Sequence, residues 1–191
     1  MTTVSPYAPL LALLLALVTA CSTETPPVGG SAAAATGPSL SDHDRRAIER
    51  VSVIELADRF SDACNIVNPE AFAALWHPEG AVWRIGPPIN REFRDRDSLG
   101  AAVSQMVGQW DFFVQTPGAS VIDFSDDYTA ATGRTYIIER ARPAEGNGGN
   151  YNLSYYLDTL SKVDGEWLYA SRTYHTIYQE EDHVYDGALI E

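Results

Sequence analysis

The feature that most limits the fold is a change of period at Trp110. Before it, apolar side chains recur at three- and four-residue spacing; after it they alternate. Ser41, with Asp44 three residues on, forms a capping box. Helix is expected from there to about Val67, with Val53, Leu56, Ala57, Phe60, Cys64 and Val67 on one face. Asn68-Pro69 supplies an N-cap and a Pro at the first helical position, so a short second helix restarts there. It carries Phe72, Leu75 and Trp76 and stops before Pro78. Gly80 to Ile85 reads as a strand, and Gly86 to Arg96 as an irregular loop that holds Arg91, Arg94 and Arg96. Asp97 is expected to cap a third helix, with Leu99, Ala102, Val103, Met106 and Trp110 on one face. Strands then fit at about 110–116, 119–125, 128–142, 150–163 and 166–178, with Asp164-Gly165 as the strongest hairpin signal. Helices first and consecutive antiparallel strands afterwards predict an α+β domain, three N-terminal helices packed on one face of a curved sheet.

The amino-terminal segment reads as an address. Leu10 to Val18 is an unbroken apolar run, too short to cross a bilayer, which needs about 20 residues, and suited to the core of a secretory signal. It ends at Thr19-Ala20-Cys21, which resembles the bacterial lipobox, where the Cys thiol is acylated and the preceding peptide removed. The expected organisation is a signal peptide over 1–20, a tether over 21–40 beginning at lipidated Cys21, a folded domain over 41–179 and an extension over 180–191. Fully extended, the 18 residues from Ser22 to Ser39 reach about 60 Å. That places the protein in the bacterial cell envelope, lipid-anchored to the outer side of a membrane; secretion after ordinary signal cleavage is the alternative. Residues 1–9 lack Lys and Arg, which counts against a signal beginning at Met1.

The formal charge is -13, from 26 acidic and 13 basic side chains. Nucleic acid is excluded as a partner, since phosphate binding needs clustered Lys and Arg. Adhesion to anionic headgroups is disfavoured likewise, leaving the lipid anchor as the only membrane contact. The cysteines are Cys21 and Cys64, so acylation of Cys21 leaves no partner for a disulfide. Cys64, in an apolar helical stretch, reads as a small buried hydrophobe. There is no His-x-x-x-His pair, no Cys cluster and no Gly-rich phosphate loop after a strand. Neither a metal nor another cofactor is expected.

The ordered segments resemble the SnoaL-like branch of the nuclear transport factor 2-like superfamily. The resemblance is carried by Arg59-Phe60-Ser61-Asp62-Ala63-Cys64-Asn65, by Phe72 through Trp83, and by Trp110-Asp111-Phe112-Phe113-Val114-Gln115. It continues in Ala131-Thr132-Gly133-Arg134-Thr135-Tyr136, Tyr156-Leu157-Asp158-Thr159-Leu160, and Asp164 through Tyr174. It implies a cone in which the sheet and helices enclose an apolar ligand cavity, and a homodimer through the outer sheet face. Relatives that resemble scytalone dehydratase or ketosteroid isomerase place an Asp, His or Tyr in that cavity, where low dielectric shifts pKa values toward proton transfer near neutral pH. Many relatives also carry a His shortly after the Gln of the second motif strand; here Gln115 is followed by Thr116-Pro117-Gly118-Ala119-Ser120, with no His.

Alternation along the strands groups Tyr156, Asp158 and Leu160 on one face, and Thr135, Ile137 and Glu139 on a face of the neighbouring strand. By family analogy both look inward. Glu139 is then a candidate base; an ion pair with Arg140, Arg142 or a loop arginine is the competing reading. His175, alternating with Thr173 and Ile177, is a candidate acid or base if it shares the inner face. Asp62 points away from the apolar face of its helix and is expected in solvent. Asn65 matches a position where some relatives have a catalytic Asp; as Asn it cannot titrate and would orient a carbonyl. The candidate catalytic set is therefore Glu139, Asp158, His175 and Tyr156, and the candidate ligand-binding set Asn65, Trp83, Trp110, Phe113, Tyr136 and Tyr174. The expected activity is cofactor-independent lyase or isomerase chemistry on a hydrophobic carbonyl compound of polyketide, steroid or terpenoid type. The alternative is a non-catalytic envelope lipoprotein that binds a small apolar ligand or a partner protein.

Overall fold

A computed structural model describes residues 39–145 and 148–185. The signal segment, Cys21, the tether up to residue 38 and residues 186–191 lie outside the described residues. The chain divides after Ser39, and the fold is that of the unit beginning at Leu40. Helix α1 (Asp42–Asn65) starts at Ser41, whose Oγ accepts from the Asp44 backbone N–H at 3.2 Å and donates to the Asp44 carboxylate at 2.6 Å. Its buried face carries Val53, Leu56, Ala57, Phe60 and Cys64. Asp62 is exposed. Helix α2 (Pro69–Ala74) is capped by Asn68, whose side chain accepts from the Ala71 N–H. Helix α3 (Arg96–Val107) is capped by Asp95 and not by Asp97: the Asp95 side chain accepts from the Ser98 N–H at 2.9 Å. Asp97 falls instead in the first turn, where its charge complements the helix dipole.

The sheet has six strands, β1 (Val82–Ile85), β2 (Arg91–Arg94), β3 (Trp110–Phe124), β4 (Ala130–Pro143), β5 (Gly148–Val163) and β6 (Glu166–Val184), in the order β2-β1-β6-β5-β4-β3. All neighbours are antiparallel except β1 and β6, which run parallel. The fold is thus α+β: three helices packed on a mixed, unclosed sheet. Three details differ from the sequence reading. The expected loop over 86–96 contains the edge strand β2, because Arg91 to Arg94 pair with β1. The two strands expected around Pro117 are one strand, β3, with a register shift between Pro117 and Ser120. An edge strand tolerates a Pro, since the missing N–H costs no ladder bond there. The last strand continues to Val184, pairing its end with Gly148 and Gly149. The Asp164-Gly165 hairpin is as expected: both residues have positive φ, 52° and 88°, which a primed turn requires.

The core lies between the helices and the concave face of the sheet. Phe60 stands at its centre, with the rings of Phe72, Trp76, Trp83, Tyr156 and Tyr169 all within 6.1 Å of its own. Ring pairs at such distances contribute about 0.5–1.5 kcal/mol each beyond area burial. This packing fills the centre, and a cavity opens beside it between α3, β1, the start of β3 and the inner face of β4–β6. At the other end Glu49 closes the layers: its carboxylate accepts from Lys162 Nζ at 2.6 Å and from Trp167 Nε1 at 2.7 Å. Burial raises the Glu49 pKa, but these hydrogen bonds outweigh it and hold the group below its usual value.

Candidate active site

Register builds the site. Gln115 on β3 faces Glu139 on β4, and Glu139 faces Asn152 on β5. Four residues along β5 from Asn152, Tyr156 faces Tyr174 on β6. Directly opposed residues share a sheet face, so these five side chains form one patch on the concave side. The patch forms part of the wall of a cavity of about 370 Å³, within the range of small-molecule sites. Trp83 and Ile85 of β1, Cys64 of α1, Met106 of α3, Trp110 and Phe113 supply most of its apolar wall.

Glu139 is 7 % exposed. Its Oε1 accepts from Gln115 Nε2 at 2.8 Å, and its Oε2 accepts from the Tyr174 hydroxyl and, at 3.4 Å, from Asn152 Nδ2. No Lys or Arg bonds to it among the described residues: Arg142 pairs with Asp111, and Arg140 lies over the Tyr151 ring. Burial pushes the Glu139 carboxyl above its ordinary value, against the pull of these neutral donors. The donors are themselves held in place. Ser61 Oγ donates to Gln115 Oε1 at 2.9 Å, which turns the Gln115 amide nitrogen toward Glu139 and, at 3.3 Å, toward the Tyr156 hydroxyl. Ser154 Oγ donates to Tyr174 Oη at 2.7 Å, leaving the Tyr174 proton for Glu139. The Tyr156 hydroxyl accepts from Gln115, and its own proton has no acceptor among the described residues. Burial and the neighbouring Glu139 charge keep both phenols protonated, with pKa values pushed up.

Asp158 lies inward but is not on the cavity wall. Its Oδ1 lies 3.0 Å from Arg172 Nε. Arg172 is 1 % exposed, and its guanidinium carbon lies 3.9–4.3 Å from the ring centres of Tyr156, Tyr169 and Phe60. Burial pushes Asp158 up to about 6 against the attraction of Arg172. The guanidinium packs against the Tyr156 ring and braces it.

Trp83, Trp110, Phe113, Tyr156, Tyr174 and Glu139 therefore come together on the cavity wall, while Asp158, His175, Tyr136 and Asn65 do not join them. His175 is on the convex face, stacked on Tyr155 at 5.0 Å; the inward residues of β6 here are Arg172 and Tyr174, the opposite parity to Thr173 and Ile177. Tyr136 is 38 % exposed on the same outer face, between the inward Thr135 and Ile137. Asn65 clamps the chain instead of facing a ligand: its Nδ2 donates to the Gln115 carbonyl at 3.0 Å and its Oδ1 accepts from the Gln115 N–H at 2.7 Å. None of the four histidines lines the cavity. Cys64 does, but burial pushes its thiol well up, so it is inert. Sequence reasoning missed Ser61, Asn152 and the hydrogen-bonding role of Gln115; the signal for Gln115 and Asn152 is their pairing opposite Glu139, whereas Ser61 reaches the site from α1 through Gln115. Among the described residues no group of three or more His, Cys, Asp or Glu is placed to hold a metal ion, and no helix is long and apolar enough to cross a membrane.

Solved structures with the same fold include a hexachlorocyclohexane dehydrochlorinase, LinA type 2, at a TM-score of 0.68 and 16% identity, covering 78% of this chain and 98% of that one. LinA type 3 from Novosphingobium barchaimii superposes at 0.66 with 17% identity, covering 79% and 99%. A candidate scytalone dehydratase from Novosphingobium aromaticivorans does so at 0.66 with 21% identity, covering 75% and 93%. No match was found among curated proteins. The SnoaL-like domain family matches residues 45–173, which runs from α1 into β6 and includes Gln115, Glu139, Asn152 and Tyr156, with Tyr174 just beyond its end, and this chain belongs to that family.

Proposed function

We propose that the cavity binds a hydrophobic carbonyl compound and that Glu139 removes a proton from the carbon beside the carbonyl. The observation that carries this reading is a buried carboxylate on a cavity wall with neutral donors and no cation around it. Burial raises the pKa of such a group and makes it a stronger base, whereas an ion-paired carboxylate is a poor base. Three features support the rest of the step. As the proton moves to Glu139, the C–H electron pair passes to the carbonyl oxygen, where the uncommitted Tyr156 hydroxyl can donate to the forming enolate. Gln115 and Asn152 hold the carboxylate while it changes charge. The aromatic wall of Trp83, Trp110 and Phe113 excludes water. Return of the proton to another carbon gives isomerisation; its delivery to a departing β-hydroxyl gives dehydration; attack of the enolate on a second carbonyl gives cyclisation. The fold relatives, a dehydrochlorinase and a candidate scytalone dehydratase, suit proton removal from carbon.

A benzisoxazole probe tests the base without knowledge of the natural ligand, because its ring opens when a base takes its C–H proton. The expected result is turnover that falls about 10²–10⁴-fold in Glu139→Gln while probe binding persists. Unchanged turnover removes Glu139 as the base and leaves a binding module. We further propose that the domain works at the cell envelope, tethered through acylated Cys21, and that two copies meet through the convex sheet face, where Val114, Tyr136, Leu157 and Ile177 are exposed. Detergent-phase partitioning lost in Cys21→Ala tests the first; sedimentation of Leu157→Glu tests the second.

A further inference from the structure

Among the described residues two charged side chains line the cavity, at opposite degrees of burial: Glu139 is buried and Arg91 is exposed. Arg91 sits on β2 directly opposite Ile85, a wall residue, so both project to the cavity face of the β1–β2 hairpin. Glu92, the nearest acid in sequence, faces the other way and is taken: it accepts from Arg84 Nε at 2.8 Å and from Arg94 Nε at 2.7 Å. Arg96 is spent on the Trp76 carbonyl. Arg91 alone of these four arginines bonds no oxygen among the described residues; its contact is with Met106 Sδ at 3.9 Å. The chain as a whole carries -13, so its long-range field does not favour anions and any attraction at this rim must be local to Arg91. A planar guanidinium without a carboxylate, at the open end of an apolar cavity, is a half-complete bidentate pair.

We infer that the ligand is an amphiphilic anion: an apolar carbonyl-bearing body seated against Trp83 and Phe113, with a carboxylate held by Arg91 at the cavity mouth. This rests on the reading of the cavity as a ligand site. The arrangement fixes direction as well as class. With its carboxylate at exposed Arg91, the ligand would extend from the rim of the chamber toward buried Glu139. Arg91 is thus a specificity residue that sets which carbon meets the base.

The test uses the full chain, naphthalene-2-acetate, and its neutral isostere naphthalene-2-acetamide, titrated calorimetrically. The acetate is expected to bind about tenfold more tightly, the gain of one charge-assisted pair in a partly wet site. Raising ionic strength should shrink that ratio. Arg91→Gln should abolish the preference by weakening the acetate alone, leaving the acetamide within about twofold, as expected if only the charged pair is lost. Arg94→Gln, on the other face of the hairpin, should keep it. Equal affinities in the parent, or a preference that survives Arg91→Gln, overturns this inference and leaves the cavity reading intact. Binding of neither probe overturns both.

Discussion

Removing the Asp158 charge should expose how much the caged arginine depends on it. Arg172 is 1 % exposed, enclosed by three aromatic rings, and Asp158 is the one carboxylate paired with it among the described residues. A guanidinium cannot shed its proton, so Asp158→Asn leaves a full charge buried without a counter-ion. Loss of one partner from a buried pair costs about 3–5 kcal/mol. The reverse deletion is cheaper on the electrostatic side: in Arg172→Met the stranded Asp158, already raised to about 6, escapes by taking up a proton. Each further pKa unit above the working pH costs only about 1.4 kcal/mol. Replacing both, Asp158→Leu with Arg172→Met, exchanges the pair for apolar volume and should recover at least half the loss. Urea denaturation followed by tryptophan fluorescence is the assay, since Trp76, Trp83 and Trp167 are all buried. With m near 2 kcal/mol/M, the single Asn variant should lower the midpoint by roughly 1.5–2.5 M. A shift below about 0.5 M, or strictly additive effects in the double variant, refutes the picture of a mutually dependent buried pair.

Glu139→Gln should change the pH dependence of stability. Because burial raises the folded pKa, the native state holds more protons than the unfolded one between the two values, and parental stability falls as pH rises through that window. The slope reaches about 1.4 kcal/mol per pH unit, the Gln variant lacks that share, and its advantage over the parent grows with pH before levelling off; urea midpoints from pH 4 to 8 read it. Asn65→Ala removes both clamps on the Gln115 backbone and should cost about 1–3 kcal/mol in the same assay. Gly149→Ala places a Cβ 2.2 Å from the Ala141 carbonyl oxygen, so the β4–β5 ladder must shift, and thermal unfolding should show a loss of about 1–3 kcal/mol.

The change of period at Trp110 was enough to read α+β, since a helix stripe and a strand face cannot interchange. Asn68-Pro69 and Asp164-Gly165 marked their boundaries because each is a backbone requirement met by particular residues. The short strand β2 escaped detection because its four residues, Arg-Glu-Phe-Arg, show one apolar position and are stabilised by pairing with β1. Glu139 and Tyr156 were legible through alternation within their own strands. Tyr136 was misplaced against that same rule, on the strength of its aromatic character. His175 was misread because the parity of β6 follows its pairing with β5, and register shifts such as that between Thr159 and Leu160 cannot be counted from one strand. Asn65, Ser61 and Asn152 act across elements, so their partners were invisible until the register was known. Arg91 was visible as one of several loop arginines; only the direction of each side chain separates it from Arg94.

The most direct test of the account is the titration of Glu139 itself, followed by carboxyl carbon NMR in the folded domain, with Glu139→Gln to assign the resonance. A buried carboxylate held by Tyr174, Gln115 and Asn152 without a cation must titrate above the free value of about 4.3. A midpoint at or below that value would mean that the charged form is favoured in the cavity, and the proposed base would be lost.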